Sequence, residues 1–467
     1  MTRQSVVQNY NNYNHPQPGN TSTLTVDEKI RREVWENGIQ RPKGYTVSYH
    51  ANPEMEKMHF GPKHPMKPWR LTLTNKIVLA YGMHEAMDLY IPRAATSQEL
   101  KDFHREDYIE FLERVTPIDN TWDPESGQYL FNTGDDCPIF DGLYRYCSLY
   151  AGASLDAARK LTNLQSDIAI NWSGGLHHAK KTEASGFCYI NDIVLAILQL
   201  LLHHPRVLYI DIDVHHGDGV EQAFWSTDRV MTLSFHKYNR AEFFPGTGAL
   251  DDTGPLRNDS PGAHHSLNVP LHDGIEDDQY IKLFQDVVWP CVHNYQPTVI
   301  VLQCGADSLG GDRLGCFNVN IKAHGACVGF VKKFGLPMLV LGGGGYTARN
   351  VAKAWAYETS LCIGAEVHPH LPAHTPYLEH FGNEKTLFPK LDSTNRYENK
   401  NNRVYLESVV MGIKEQLRYL QGSPSVQMQH IPPDLGGLRD ELEREMFDER
   451  VEREEREQSR KKKERKG

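Results

Sequence analysis

Val207-Leu-Tyr-Ile-Asp211-Ile-Asp213-Val-His215-His216-Gly-Asp218-Gly219 begins as an apolar run and ends with five ionisable side chains in eight residues. A strand with one face in water alternates apolar and polar residues. A run apolar on both faces is that of a parallel strand covered by helices on either side. Extended to Asp213 and beyond, the strand would put Asp211, Asp213 and His215 on one face, since residues two apart point the same way. Two carboxylates and an imidazole on a buried face are costly unless hydrogen bonds or a cation satisfy them. A divalent metal does so naturally.

The pattern repeats outward from this run. Short β-rich runs occur at Tyr45–Tyr49, Ile168–Trp172, Val230–Phe235, Ser266–Val269, Val299–Cys304 and Met338–Leu341. Helix-like stretches at Tyr189–His203, Asp277–Asn294, Ile321–Phe334 and Ala348–Cys362 separate several of them. Strands and helices in this alternation predict an α/β sandwich around a mostly parallel sheet. No stretch of linker composition interrupts 45–370, so the 467 residues read as one domain over 41–437. An Asn/Gln-rich arm precedes it at 1–40, expected to be mostly disordered, and a charged tail follows at 438–467. Within that tail Arg460–Lys466 carries six positive charges in seven residues, either a solvated charge run or a nuclear-import signal.

Composition removes several classes. The longest apolar run, Ile193–Leu202, has Gln199 inside it and is half the length of a membrane span, and the N-terminus has no signal-peptide core. The chain therefore reads as soluble and intracellular. Its eight cysteines form no CxxC pair, which fits reduced thiols and argues against a cysteine zinc knuckle. A net charge of −10 argues against a general nucleic-acid binder and for a basic partner or substrate, and no direct sequence-specific nucleic-acid contact is expected.

Three further strand ends carry polar residues, where open α/β sheets gather their chemistry. Val299-Ile-Val-Leu-Gln-Cys-Gly-Ala-Asp307 adds a third metal ligand to Asp213 and His215, leaving an open position for water on a tetrahedral Zn²⁺; Fe²⁺ would accept the same set. Ile170-Asn-Trp-Ser-Gly174-Gly175-Leu-His177-His178 brings paired imidazoles behind a glycine turn, with Asp211 and Asp218 as orienting carboxylates. Leu339-Val-Leu-Gly342-Gly-Gly-Gly345-Tyr346 lacks the Lys-Ser/Thr of a nucleotide loop and instead aims a phenol, a donor to an oxygen gaining charge. Metal, oriented histidines and phenol suit metal-assisted amide hydrolysis.

The segments Asn171–Lys181, Tyr209–Gly219 and Leu341–Tyr346 together resemble the class I zinc-dependent histone deacetylases, over about Tyr45–Tyr377 and more weakly to Gly437. The resemblance implies an arginase/deacetylase-like three-layer sandwich and one Zn²⁺ per chain, held by Asp213, His215 and Asp307. It implies His178, paired with Asp218, as general base for the attacking water. His177, paired with Asp211, would be the second dyad member, and Tyr346 would polarise the acetyl carbonyl. Gly186, Phe187 and Phe244 match the tunnel walls, Leu314 the rim, Asp136 the rim aspartate that grips substrate amides, and Arg70 the pocket below the metal. A structural K⁺ would use Asp211, Asp213, His215, Ser234 and Phe235, and a second one Phe224, Thr227 and Val230. His59, Lys67, Arg313 and Arg349 match an inositol-phosphate site, with Lys63 where relatives carry glycine.

By the same resemblance the substrate is an acetylated histone tail and the place of action the nucleus, with the cytoplasm as a second compartment. The Asn/Gln-rich arm points to a fungal type acting with co-repressor subunits such as a SET-domain protein and WD-repeat proteins. The loop at Arg240-Ala-Glu242 is one residue longer than in relatives and borders the tunnel mouth. Competing expectations are an acetylpolyamine deacetylase, a chromatin scaffold with dispensable chemistry, and a dinuclear arginase-like hydrolase.

Overall fold

The computed structural model describes residues 24–255, 260–391 and 396–420. The expected domain end at 437 and the basic run at 460–466 lie outside them. A second unit, Tyr419–Gly467, falls almost wholly outside as well.

The expected 1–40 arm is not irregular throughout. Val26–Glu36 forms helix α1, because Thr25 and Glu28 make a reciprocal capping box that satisfies its first amides. In chain order there follow β1 (Val47–His50), α2 (Trp69–Ala80), β2 (Asp88–Tyr90), α3 (Ser97–Lys101), α4 (Glu106–Arg114) and a small hairpin of β3 (Trp122–Asp123) and β4 (Gln128–Tyr129). Then come α5 (Leu143–Thr162), β5 (Ile168–Asn171), α6 (Asp192–Leu200), β6 (Val207–Asp211), α7 (Asp218–Phe224), β7 (Val230–Lys237) and β8 (Ser266–Leu271). The described chain continues with α8 (Asp277–Tyr295), β9 (Val299–Gln303), α9 (Ile321–Lys332), β10 (Met338–Leu341), α10 (Ala348–Ile363) and α11 (Arg403–Leu417).

Eight strands form one sheet in the order β2-β1-β5-β10-β9-β6-β7-β8, every pairing parallel. All seven expected strands are present; the short edge strand β2 is an addition. Both faces are apolar for the expected reason. Val207, Tyr209, Val299, Val301, Leu339 and Leu341 pack against Ala157, Leu161, Ile193 and Ile197 of α5 and α6. The alternate residues point to the other layer, where Phe235 of β7 meets Tyr280 and Phe284 of α8. A parallel sheet directs all its carboxyl ends to one edge. There the ends of β5, β6, β9 and β10, four adjacent strands, deliver the polar segments singled out above. No helix among the described residues is long and apolar enough to cross a membrane, and all eight cysteines are free and buried.

Candidate active site

β6 stops at Asp211, two residues earlier than expected. Past that point the carboxylates themselves turn the chain. Asp211 Oδ1 accepts the Asp213 amide at 3.1 Å and Asp213 Oδ1 accepts the His215 amide at 3.0 Å. The shared face expected from strand alternation is thus replaced by two successive side-chain-to-backbone turns, with the same clustering as a result. Asp307, after β9, accepts the Val214 amide at 2.9 Å. Asp213 Oδ2 takes the Gly344 amide at 2.8 Å and the Gln303 side chain at 3.0 Å.

One ligand atom from each of Asp213, His215 and Asp307 lies within 4.8 Å of the others. His215 Nδ1 stands 3.1 Å from both an Asp213 and an Asp307 oxygen. Burial and the Asp213 carboxylate push the Asp307 carboxyl above its ordinary range. Two fully buried carboxylates at this distance call for a cation, and a hard-oxygen and imidazole donor set fits a divalent metal. Glycine makes room for them. A Cβ on Gly305 would lie 2.1 Å from Asp213 Oδ2, and one on Gly344 2.0 Å from Asp307 Oδ2.

The paired histidines follow β5. Asp192, at the start of α6, holds their turn by accepting the Gly175 and Leu176 amides at 3.0 and 2.9 Å. His177 Nδ1 is 2.7 Å from Asp211 and His178 Nδ1 is 2.8 Å from Asp218, the partners expected. Each Nδ1–H donates to its carboxylate, which leaves Nε2 as the free acceptor in the neutral ring. The Tyr209 hydroxyl donates to Asp211 at 2.5 Å, and Lys180 pairs with Asp218. The rings are 3.9 Å apart yet titrate differently. Burial opposes charge on His177, but Asp211 and Asp213 outweigh it and hold it up at about 9. Burial, reinforced by the charge on His177, pushes His178 down to about 3. His178 is therefore the neutral acceptor at physiological pH.

Tyr346 rides on the turn after β10. Arg70 is buried beneath that turn, donating to the Gly343 carbonyl at 2.6 Å and the Gly345 carbonyl at 2.8 Å, with its guanidinium 5.0 Å from the Trp355 ring centre. Burial first, then the nearby carboxylates, raise the phenol well above its usual range, so it stays a donor. Phe187 crosses Tyr346 edge-on at 5.7 Å, and Phe244 crosses His178 at 4.9 Å. Gly186 lies between these walls; a Cβ there would be 2.6 Å from the His178 ring. Leu314, Phe244 and Asp136 are solvent-exposed.

The remaining expected residues lie on α7, β7, α10 and the loops between elements. Ser234 pairs in register with Asp211 and precedes Phe235 on β7. Phe224 ends α7, its carbonyl accepting the Thr227 amide at 3.2 Å, and Val230 begins β7. His59, Lys63, Arg313 and Arg349 are exposed. Lys67 instead braces its own loop, donating to the carbonyls of Gly61 and Pro62 at 2.8 and 2.9 Å. Sequence reasoning missed Gln303, Asp192 and Phe243, whose ring stacks on His215 at 5.1 Å. A glutamine closing an otherwise apolar strand was the available signal for the first; the other two carried none.

Comparison with known proteins supplies the context. The histone deacetylase domain matches residues 64–362. The chain is 54% identical over 409 residues to "Histone deacetylase B" of Dictyostelium discoideum, covering 86% of this chain and 95% of that protein. It is 52% identical over 390 residues to "Histone deacetylase 9" of Arabidopsis thaliana, covering 83% and 89%. It is also 49% identical to "Type-1 histone deacetylase 1" of Dictyostelium discoideum, covering 87% and 80%. These relatives come from an amoeba and a plant, so the similarity is not specific to the expected fungal type.

Proposed function

The chain belongs to the histone deacetylase family, class I, and is a hydrolase of acetyl-lysine amides; from that premise we propose how its residues divide the reaction. The observation that carries the proposal is the carboxylate-oriented His178 ring 5.9 Å from the His215 ring of the Asp213–His215–Asp307 cluster, with Phe244 against His178 and Phe187 against Tyr346.

An acetylated lysine has an uncharged stem suited to the slot between Phe187 and Phe244, and Asp136 at the rim accepts from the peptide amides flanking it. Asp213, His215 and Asp307 hold Zn²⁺, one per chain, which when bound supplies Lewis acidity toward the acetyl carbonyl and the attacking water. His178 Nε2 takes a proton from that water as its oxygen adds to the carbonyl carbon, and Asp218 steadies the imidazolium so formed. The Tyr346 hydroxyl donates to the carbonyl oxygen as it gains charge, and His177, held by Asp211, is the second member of the histidine pair. Collapse breaks the C–N bond. The proton held by His178 passes to the leaving nitrogen, giving lysine and acetate.

We assign K⁺ to the loop around Asp211, Asp213, His215, Ser234 and Phe235, with Phe224, Thr227 and Val230 at a second position. An inositol phosphate belongs at His59, Lys63, Lys67, Arg313 and Arg349, and co-repressor subunits are the partners in a nuclear, chromatin-directed role. Release of acetate from an acetylated histone-tail peptide, by wild type and Tyr346→Phe, alone and with co-purified subunits, tests the reading. Wild-type turnover that falls about 10²–10³-fold on losing the hydroxyl supports it. Unchanged turnover in Tyr346→Phe overturns the assignment of the phenol.

A further inference from the structure

We propose that Asp312 is the positioning residue of Tyr346, one carboxylate joining the phenol-bearing turn to the rim loop that carries Leu314; this rests on the role given to Tyr346 above. Asp312 Oδ2 accepts the backbone amides of Tyr346 at 2.7 Å and Thr347 at 3.1 Å. Its Oδ1 accepts those of Leu314 at 3.0 Å and Gly315 at 3.3 Å. Four amides from two separate segments thus converge on one side chain. The Thr347 hydroxyl adds a second stitch, donating to the Gly311 carbonyl at 3.1 Å.

The turn needs such a grip. Its four glycines have no side chains to restrain them, and Gly343 and Gly345 sit at φ of +147° and +119°. It is clamped from outside by opposite charges on opposite ends of its peptides, Arg70 on the carbonyls of Gly343 and Gly345 and Asp312 on the amides of Tyr346 and Thr347. A donor aimed at a developing oxyanion tolerates little displacement, and an error of about 1 Å costs about 10²-fold in rate. An asparagine at 312 keeps one accepting oxygen and turns an NH₂ group toward the other pair of amides, so one half of the joint must open.

The test is a double-mutant cycle in the full-length chain, with acetate release and bound zinc measured for each variant. Asp312→Asn is expected to lower kcat by about 10²-fold, with KM changed less than kcat and metal content unchanged. In a Tyr346→Phe background the same substitution is expected to add almost nothing, because the group it positions is gone. Equal losses in both backgrounds, or unchanged kcat, overturn the proposal. If Tyr346→Phe alone keeps full activity, the reading of the phenol fails and this inference fails with it. Should Asp312→Asn not fold, Thr347→Val decides. A smaller kcat loss that vanishes beside Tyr346→Phe supports the joint, and an additive or absent loss overturns it.

Discussion

Two of the buried histidine–carboxylate pairs near the metal-ligand cluster have opposite prospects. His178 pairs with Asp218 and faces Phe244, a half-exposed ring at the opening. His324 of α9 pairs with Glu358 of α10, both wholly inaccessible, and its second nitrogen is 2.9 Å from the Gly305 carbonyl. His178 has one nitrogen left for a proton from outside; His324 has both committed. Their charges differ accordingly. Burial dominates at His178 and keeps it neutral. At His324 burial also opposes the charge, but Glu358 outweighs it and the pKa rises. An oriented histidine is therefore a reagent only where its second nitrogen meets substrate. Elsewhere the same pair is a brace.

Stripping the metal with a chelator tests the reactive side most severely. Activity should fall to background, return on adding Zn²⁺, and be accompanied by a drop in Tm, since a ligand bound only by the native state stabilises it. His178→Ala comes next, with kcat expected to fall about 10²–10⁴-fold while Tm and zinc content stay near wild type. His324→Leu should do the reverse. It leaves Glu358 buried without its partner, at a stability cost of about 3–5 kcal/mol, read as a lower denaturation midpoint, with kcat of the folded fraction within about tenfold of wild type. A kcat collapse in His324→Leu at unchanged stability would break the contrast between reagent and brace.

The smallest effect concerns a buried charge that lacks a carboxylate partner at hydrogen-bond distance. Burial, with Arg349 nearby, pushes the Lys353 amine down to about 8 from its ordinary 10.5, and among the described residues it donates to the Phe381 carbonyl alone, at 2.8 Å. Below pH 8 folded and unfolded chains both carry the charge, and the folded state bears its full penalty. Between pH 8 and 10.5 the unfolded state binds more protons, so stability rises with pH. Relative to Lys353→Met, the wild type should therefore gain about 2–3 kcal/mol across that window, measured as the difference in denaturation midpoint. A gap that does not change with pH would refute it.

The strands of this sheet were legible because burial on both faces leaves an apolar run that water-facing strands lack. β2 was not, being three residues at an edge. α5 escaped because it is buried almost all round and rich in small residues. Gly152 passes so close that a Cβ would be 2.1 Å from the Arg93 carbonyl, so no single apolar stripe marks the helix. In the site, side chains that act on other side chains were readable from residue type: Asp213, His215 and Asp307, and each histidine with its carboxylate. Asp192 and Asp312 were not. They hold backbone amides, which every residue but proline carries, so nothing in the gripped segments marks them.

The strand order has a consequence for synthesis on the ribosome. Among the described residues β10 is the last strand in chain order, yet it lies between β5 and β9 in the sheet. Until residues 338–341 emerge, the strand that β5 and β9 both pair with is missing, and Tyr346 and the Gly344 amide that meets Asp213 arrive only behind it. A chain halted before that point carries the metal ligands, the paired histidines and both aromatic walls but not the phenol that completes them.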